Sequence, residues 1–174
     1  MKKTKPILYK KKSFKDSRGE FYELYNEKFM LKNFELKEKF KQDNISISNK
    51  GVIRGLHYQS KKPQGKLISV LSGSIYDVIV DIRPYSNDFL KKFIYRLDSI
   101  KSESLWVPPG FAHGFQALSR NTIVHYKCNN YYSPETEYTI LWSDPDLNIK
   151  WPLKPTKISK KDLLGKSLKQ LFSL

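Results

Sequence analysis

The chain has 174 residues, 39% hydrophobic and 14% aromatic, enough apolar material for one packed domain and too much for a disordered chain. Its 32 Lys and Arg against 17 Asp and Glu give a net charge of +15, but only Arg18, Arg54, Arg83, Arg96 and Arg120 are arginines, and the lysines are scattered or sit in runs such as KKTK and YKKKSFK. With no RNP sequence, Cys/His finger or clustered basic face, that charge reads as solubility and speaks against nucleic acid as the partner. One cysteine, Cys128, excludes an internal disulfide or a cysteine-built zinc site and fits a reducing, cytoplasmic setting. In the opening MKKTKPILYKKK the apolar PILY is too short for a secretory core, and no run reaches transmembrane length, so no membrane partner is expected.

The first helical pattern is NEKFMLKNF, residues 26–34, a surface helix after Asn26. GVIRGLHYQ, residues 51–59, reads as an apolar strand that spends positions on Arg54 and His57. From Lys66 onward short strands alternate with turns: KLISVL, the turn SGS, IYDVIVDIR, a loop PYSND, KKFIYRL, SLWV, the break PPG, HGFQALS and TIVHYKC. Strands at that spacing suggest a sandwich or barrel. SDPDLNIKWPLKP, punctuated by Pro145, Pro152 and Pro155, is expected to lie irregularly over the β core through Trp142 and Trp151. SKKDLLGKSLKQLF is expected to be a helix capped by Ser159. No repeat or linker divides the chain, which points to a single domain over residues 1–174, all-β with a few short peripheral helices.

Alternation within strands gives each polar residue a side. Tyr126 shares parity with Val124 and Cys128 and is assigned to the interior; His125, in phase with Ile123 and Lys127, is assigned to the outside. Lys66 falls in line with Ile68 and Val70, where an ammonium needs a partner because a buried, unpaired charge is costly. Arg54 has the opposite parity to His57, so both reach one pocket only through a bend or a sheet edge.

Two segments resemble the signature of the cupin superfamily, G-x5-H-x-H with E-x6-G and a later P-x-G-x2-H. Here Gly51 precedes His57 by five intervening residues, Lys66 precedes Gly73 by six, and Pro108-Pro109-Gly110 leads to His113. Gln59 stands where a metal cupin has its second His and Lys66 where it has its carboxylate, a poor ligand set, so no metal is expected.

The blocks DSRGEFYE, QDNISIS, GVIRGLHYQ, PQGKLISVLSGSIYDVIVDIR, LWVPPGFAHGFQALS, HYKCNNYYSPETEYTILWSDPDLNIKWP and ISKKD, in this order, are similar to the nucleotide-sugar 3,5-epimerase family of the rhamnose-pathway type. The resemblance implies a cupin jelly-roll barrel, usually a homodimer with shared active sites, acting without cofactor on a nucleoside-diphosphate 4-keto-6-deoxy sugar. In such a sugar the C3 and C5 protons both lie alpha to the carbonyl, so one base can remove either. By resemblance His57 is the base, Lys66 meets the developing oxyanion, Tyr126 returns a proton on the opposite face, and Asp162 pairs with the base. Also by resemblance, Arg18, Glu23, Gln42, Asn44, Arg54, His113 and Tyr132 contact substrate.

Each residue also has a plain structural reading. His57 would be a bonded core histidine, Lys66 a strand-end lysine reaching water, Tyr126 a core tyrosine and His113 a turn-stabilising ring; Asp162 would close the capping box S-x-x-D that Ser159 opens. A mono-epimerase, a metal-dependent cupin isomerase and a non-catalytic nucleotide-sugar-binding cupin are the rival functions. The base is open among dTDP, the default, and GDP or CDP, as is hexose against heptose.

Overall fold

The computed structural model describes residues 5–172; the lysines of KKTK before Lys5 lie outside the described residues. Two five-stranded antiparallel sheets face each other. The first runs β1 (Ile7–Lys10), β9 (Glu103–Val107), β6 (Lys66–Ser72), β11 (Thr122–Cys128), β4 (Gln42–Ser48). The second runs β12 (Glu137–Thr139), β5 (Ile53–Gln59), β10 (Phe111–Ala117), β7 (Ser74–Asp81), β8 (Lys92–Asp98). A separate hairpin pairs β2 (Ser13–Asp16) with β3 (Gly19–Tyr22). From β4 to β12 sequence neighbours thus alternate between sheets, except that β7 and β8 pair within the second, and the all-β, cupin-type expectation is met.

Three apolar layers explain why the strands read as they do. Between the sheets lie Ile68, Val70, Ile75, Ile79, Leu105, Phe115 and Val124 among others. The outer face of the first sheet, with Tyr9, Leu67 and Trp106, is covered by Met30 of α1 (Glu27–Phe34) and by Phe34 and Phe40. The outer face of the second, with Leu56, Val78, Val80 and Ala112, is covered by Ile140, Leu147 and Leu168 from the C-terminal stretch. A strand buried on both faces loses its apolar–polar alternation, which is why IYDVIVDIR is nearly continuous in apolar residues: Ile75 and Ile79 face in while Val78 and Val80 face out.

α1 begins where expected, Asn26 Oδ1 accepting from the Phe29 amide at 3.0 Å. The C-terminal helix is instead two short pieces, α2 (Lys160–Leu163) and α3 (Leu168–Phe172). Between them Gly165 passes so close to Leu141 that a Cβ would stand 2.9 Å from the Leu141 nitrogen, and Lys166 bridges Ile140. Tertiary packing overrides local helical pattern here. The Trp142–Trp151 stretch lies over the second sheet as expected, with Trp151 Nε1 donating to the Trp142 carbonyl at 2.9 Å.

Two expected exposures are also corrected. His125 does point to the outer face, but it is 9% exposed and its Nδ1 is buried without a partner. Lys11, from a run read as solvated, is 5% exposed, sits 4.6 Å from the Tyr22 ring and has its pKa pulled down to about 8 by burial. No helix among the described residues is long and apolar enough to cross a membrane.

Candidate active site

A cavity of about 350 Å³ opens between the sheets, within the size range of small-molecule sites. His57 enters it from β5 in the second sheet; Lys66 and Tyr126 enter from β6 and β11 in the first. The imidazole therefore faces an ammonium and a phenol across the barrel.

Arg54 lines the same cavity despite its parity. His113 of β10 pairs with His57 and Phe115 with Arg54, so two steps on β10 correspond to three on β5: a bulge. Its pivot is Gly55, at φ +97°, where a Cβ would lie 2.6 Å from the His113 carbonyl oxygen. The extra residue turns Arg54 to the side of His57, and its guanidinium is held by Ser48 Oγ at 2.9 Å and the Ile47 carbonyl at 3.1 Å.

Asp162 reaches the cavity from α2. Ser159 Oγ caps the helix by accepting from the Asp162 amide at 3.1 Å, but the Asp162 carboxylate does not complete the box by turning back to residue 159. It bonds His57 Nε2 at 2.6 Å through Oδ1 and accepts from the Gly55 amide at 3.3 Å through Oδ2. Burial alone would raise this carboxyl; the bond and charge of His57, with the Gly55 and Ser159 bonds, outweigh it and hold Asp162 below the ordinary carboxylate value. The cap, Ser159, thus fixes through its bond to the Asp162 amide the residue that partners His57.

Lys66 makes no hydrogen bond or ion pair to a described residue. Burial pushes its pKa down, against the opposing pull of Cys128, Glu137 and Asp77. Tyr126 moves the other way, raised by burial and by nearby Cys128 and Glu137, so the phenol keeps its proton at neutral pH.

A family model described as dTDP-4-dehydrorhamnose 3,5-epimerase matches residues 4–170. A relative of that name from Methanothermobacter thermautotrophicus is 44% identical over 167 residues, covering 94% of this chain and 90% of its own. The chain belongs to the dTDP-4-dehydrorhamnose 3,5-epimerase family. Among solved structures, the Legionella pneumophila dTDP-6-deoxy-D-glucose-3,5-epimerase in complex with dTDP-4-keto-L-rhamnose is 43% identical with a TM-score of 0.93, covering 97% of this chain and 90% of that one. The Bacillus anthracis dTDP-4-dehydrorhamnose 3,5-epimerase, with TDP and PPi bound, is 44% identical with a TM-score of 0.90, covering 94% of each.

In this member of the dTDP-4-dehydrorhamnose 3,5-epimerase family the other expected residues fall into three groups. His113 lines the cavity. Gln42 and Asn44 share a strand face with Ser46, which also lines it; Gln42 Oε1 accepts from the Tyr132 amide at 2.9 Å, and the Tyr132 hydroxyl bonds Glu137 Oε2 at 2.7 Å. Arg18 and Glu23 lie outside the chain's own cavity, Arg18 on the β2–β3 hairpin paired with Asp16. Gln59, where a metal cupin has its second His, donates to the Lys62 carbonyl and accepts from the Ser133 amide, tying loops together. No group of three or more His, Cys, Asp or Glu that could hold a metal comes together among the described residues.

Sequence reading missed Glu137 and Lys161. Lys161 lines the cavity and bonds Glu137, whose Oε1 is 3.9 Å from His57 Nδ1. Burial raises the Glu137 carboxyl, but Lys161, Tyr132 and His57 together hold it below its ordinary value. The only signals were the lysine beside Asp162 in KKD and the acid in SPETEY, neither distinguishable by pattern from surface charge.

Proposed function

We propose that this chain is a dTDP-4-dehydrorhamnose 3,5-epimerase acting on dTDP-4-dehydro-6-deoxyglucose. The observation that carries it is the cavity in which a carboxylate-bound imidazole on one sheet opposes a lysine and a tyrosine on the other. His57 takes the proton from C3 or C5, general-base work commonly worth 10²- to about 10⁴-fold. The C–H electron pair moves into the ring as an enolate whose oxygen meets the Lys66 ammonium. Tyr126 then gives its hydroxyl proton to the same carbon from the opposite face, inverting the centre. One proton leaves to His57 and one arrives from Tyr126, so the pair resets by passing a proton between them through solvent. Asp162 steadies the imidazolium.

Arg54, Lys157 and Lys161 line the cavity and supply the positive charge for the diphosphate. His113 contacts the sugar; Gln42, Asn44 and Tyr132 serve the nucleoside, Tyr132 offering a ring face to the base.

The working unit is a homodimer. Ile45 and Ile47 on the edge strand β4 are 64% and 63% exposed, and Phe14 and Phe21 on the hairpin are 50% and 67% exposed. An open apolar edge of that kind calls for a covering partner. A second copy would bring Arg18 and Glu23 from its hairpin to this cavity, which its own hairpin does not reach. The lone, buried Cys128 suits the cytoplasm.

The test is to supply dTDP-, GDP- and CDP-linked 4-keto-6-deoxyglucose and assign the product by NMR. Conversion of the dTDP sugar to the 4-keto-L-rhamnose configuration, well ahead of the others, is expected. Inversion at C3 or C5 alone would make the chain a mono-epimerase, and none would leave a binding protein.

A further inference from the structure

Asp77 is a buried carboxylate that the mechanism above does not use. It lies on β7 in phase with the inward-facing Ile75 and Ile79 and is 0% exposed. A charge in that position is expensive unless it is bonded. Its Oδ2 lies 2.8 Å from His113 Nε2, while its Oδ1 is buried with no hydrogen-bond partner. His113 in turn lines the cavity, directly across the β5–β10 ladder from His57. Its Nδ1 makes no hydrogen bond to a described residue.

The cavity therefore holds two histidine–carboxylate pairs of the same form, His57–Asp162 and His113–Asp77. A carboxylate on one ring nitrogen accepts that nitrogen's proton in a hydrogen bond and fixes the ring's orientation, and the other nitrogen is a second donor when it carries a proton too. Asp77 is also one of the anions that favour the charged form of Lys66. We propose that Asp77 is a positioning residue for epimerisation: it holds His113 by Nε2 so that Nδ1 presents an N–H to the enolate oxygen alongside Lys66. No covalent step is added, since the donor bonds the oxygen and keeps its proton.

This rests on the function proposed above, and the test separates the two. In purified full-length enzyme, Asp77→Asn and His113→Asn are expected to lower kcat about 10²- to 10³-fold, the range for loss of one oxyanion donor, with KM changed less than about threefold. The double variant is expected to be no slower than His113→Asn alone, because Asp77 acts through that ring. Multiplicative losses, or wild-type kcat in Asp77→Asn, overturn the proposal. Nitrogen-15 NMR of histidine-labelled wild-type protein needs no variant and no turnover: protons on both Nε2 and Nδ1 of His113 are expected, and a ring with either nitrogen bare overturns the proposal. Absence of epimerisation in the wild type would count against the function, while the ring spectrum still decides Asp77.

Discussion

Asp162 does two things with one side chain, and its substitution should separate them. Asp162→Asn keeps the shape but removes the charge facing His57, so kcat should fall about 10²- to 10⁴-fold with KM little changed, by steady-state kinetics. The stability effect has a definite sign. The folded pKa of Asp162 lies below its unfolded value, so its contribution is fully present above about pH 4 and is lost as pH falls through the folded value. Asp162→Asn should therefore flatten the acid limb of a pH–stability curve from urea unfolding. Lys66 runs the other way: its folded pKa lies below the unfolded one, so its ammonium costs stability at neutral pH and ceases to cost it as pH rises. Lys66→Met should raise the unfolding free energy by about 1–3 kcal/mol while lowering kcat about 10²- to 10³-fold, seen by denaturant titration and turnover. Both residues were legible in the sequence, Lys66 because it interrupts an apolar phase and Asp162 through the ISKKD block. Asp77 interrupts an apolar phase in the same way, but IYDVIVDIR carries apolar residues on both faces, which hides the break.

At the level of elements, Gly55 decides where Arg54 goes. Strict alternation sends Arg54 away from His57, and the bulge that reverses this leaves no mark in the spacing other than a glycine inside a strand. Gly55→Ala must place a Cβ against the His113 carbonyl and the Gly114 Cα at φ +97°, so it should cost about 1–3 kcal/mol or more in thermal unfolding and raise KM for the nucleotide sugar as Arg54 turns away. The strands from Lys66 to Cys128 were readable because turns bound them on both sides. The C-terminal helix was not, because its break at Gly165 comes from contact with Leu141, distant in sequence.

For the whole molecule, periodicity carries no sign of the layer over the first sheet, where α1 and the segment around Phe40 cover Tyr9, Leu67 and Trp106, nor of the burial of His125 and Lys11. Long-range covering of that kind is invisible to periodicity. The same limit applies to the exposed edge at β4, whose isoleucines Ile45 and Ile47 are covered by a second chain in the proposed dimer. Ile45→Lys with Ile47→Lys should give a monomer in analytical ultracentrifugation and a site lacking the other copy's Arg18 and Glu23, with kcat/KM reduced at least tenfold. An unchanged dimer would place the interface elsewhere. In the proposed mechanism all of this serves one chemical event, the removal of a proton beside a carbonyl by His57. Incubating the wild type and His57→Asn with dTDP-4-dehydro-6-deoxyglucose in D2O and following C3 and C5 by proton NMR measures that event directly. Deuterium should enter both carbons with the wild type and neither with His57→Asn; equal labelling by the two proteins would show that another group takes the proton.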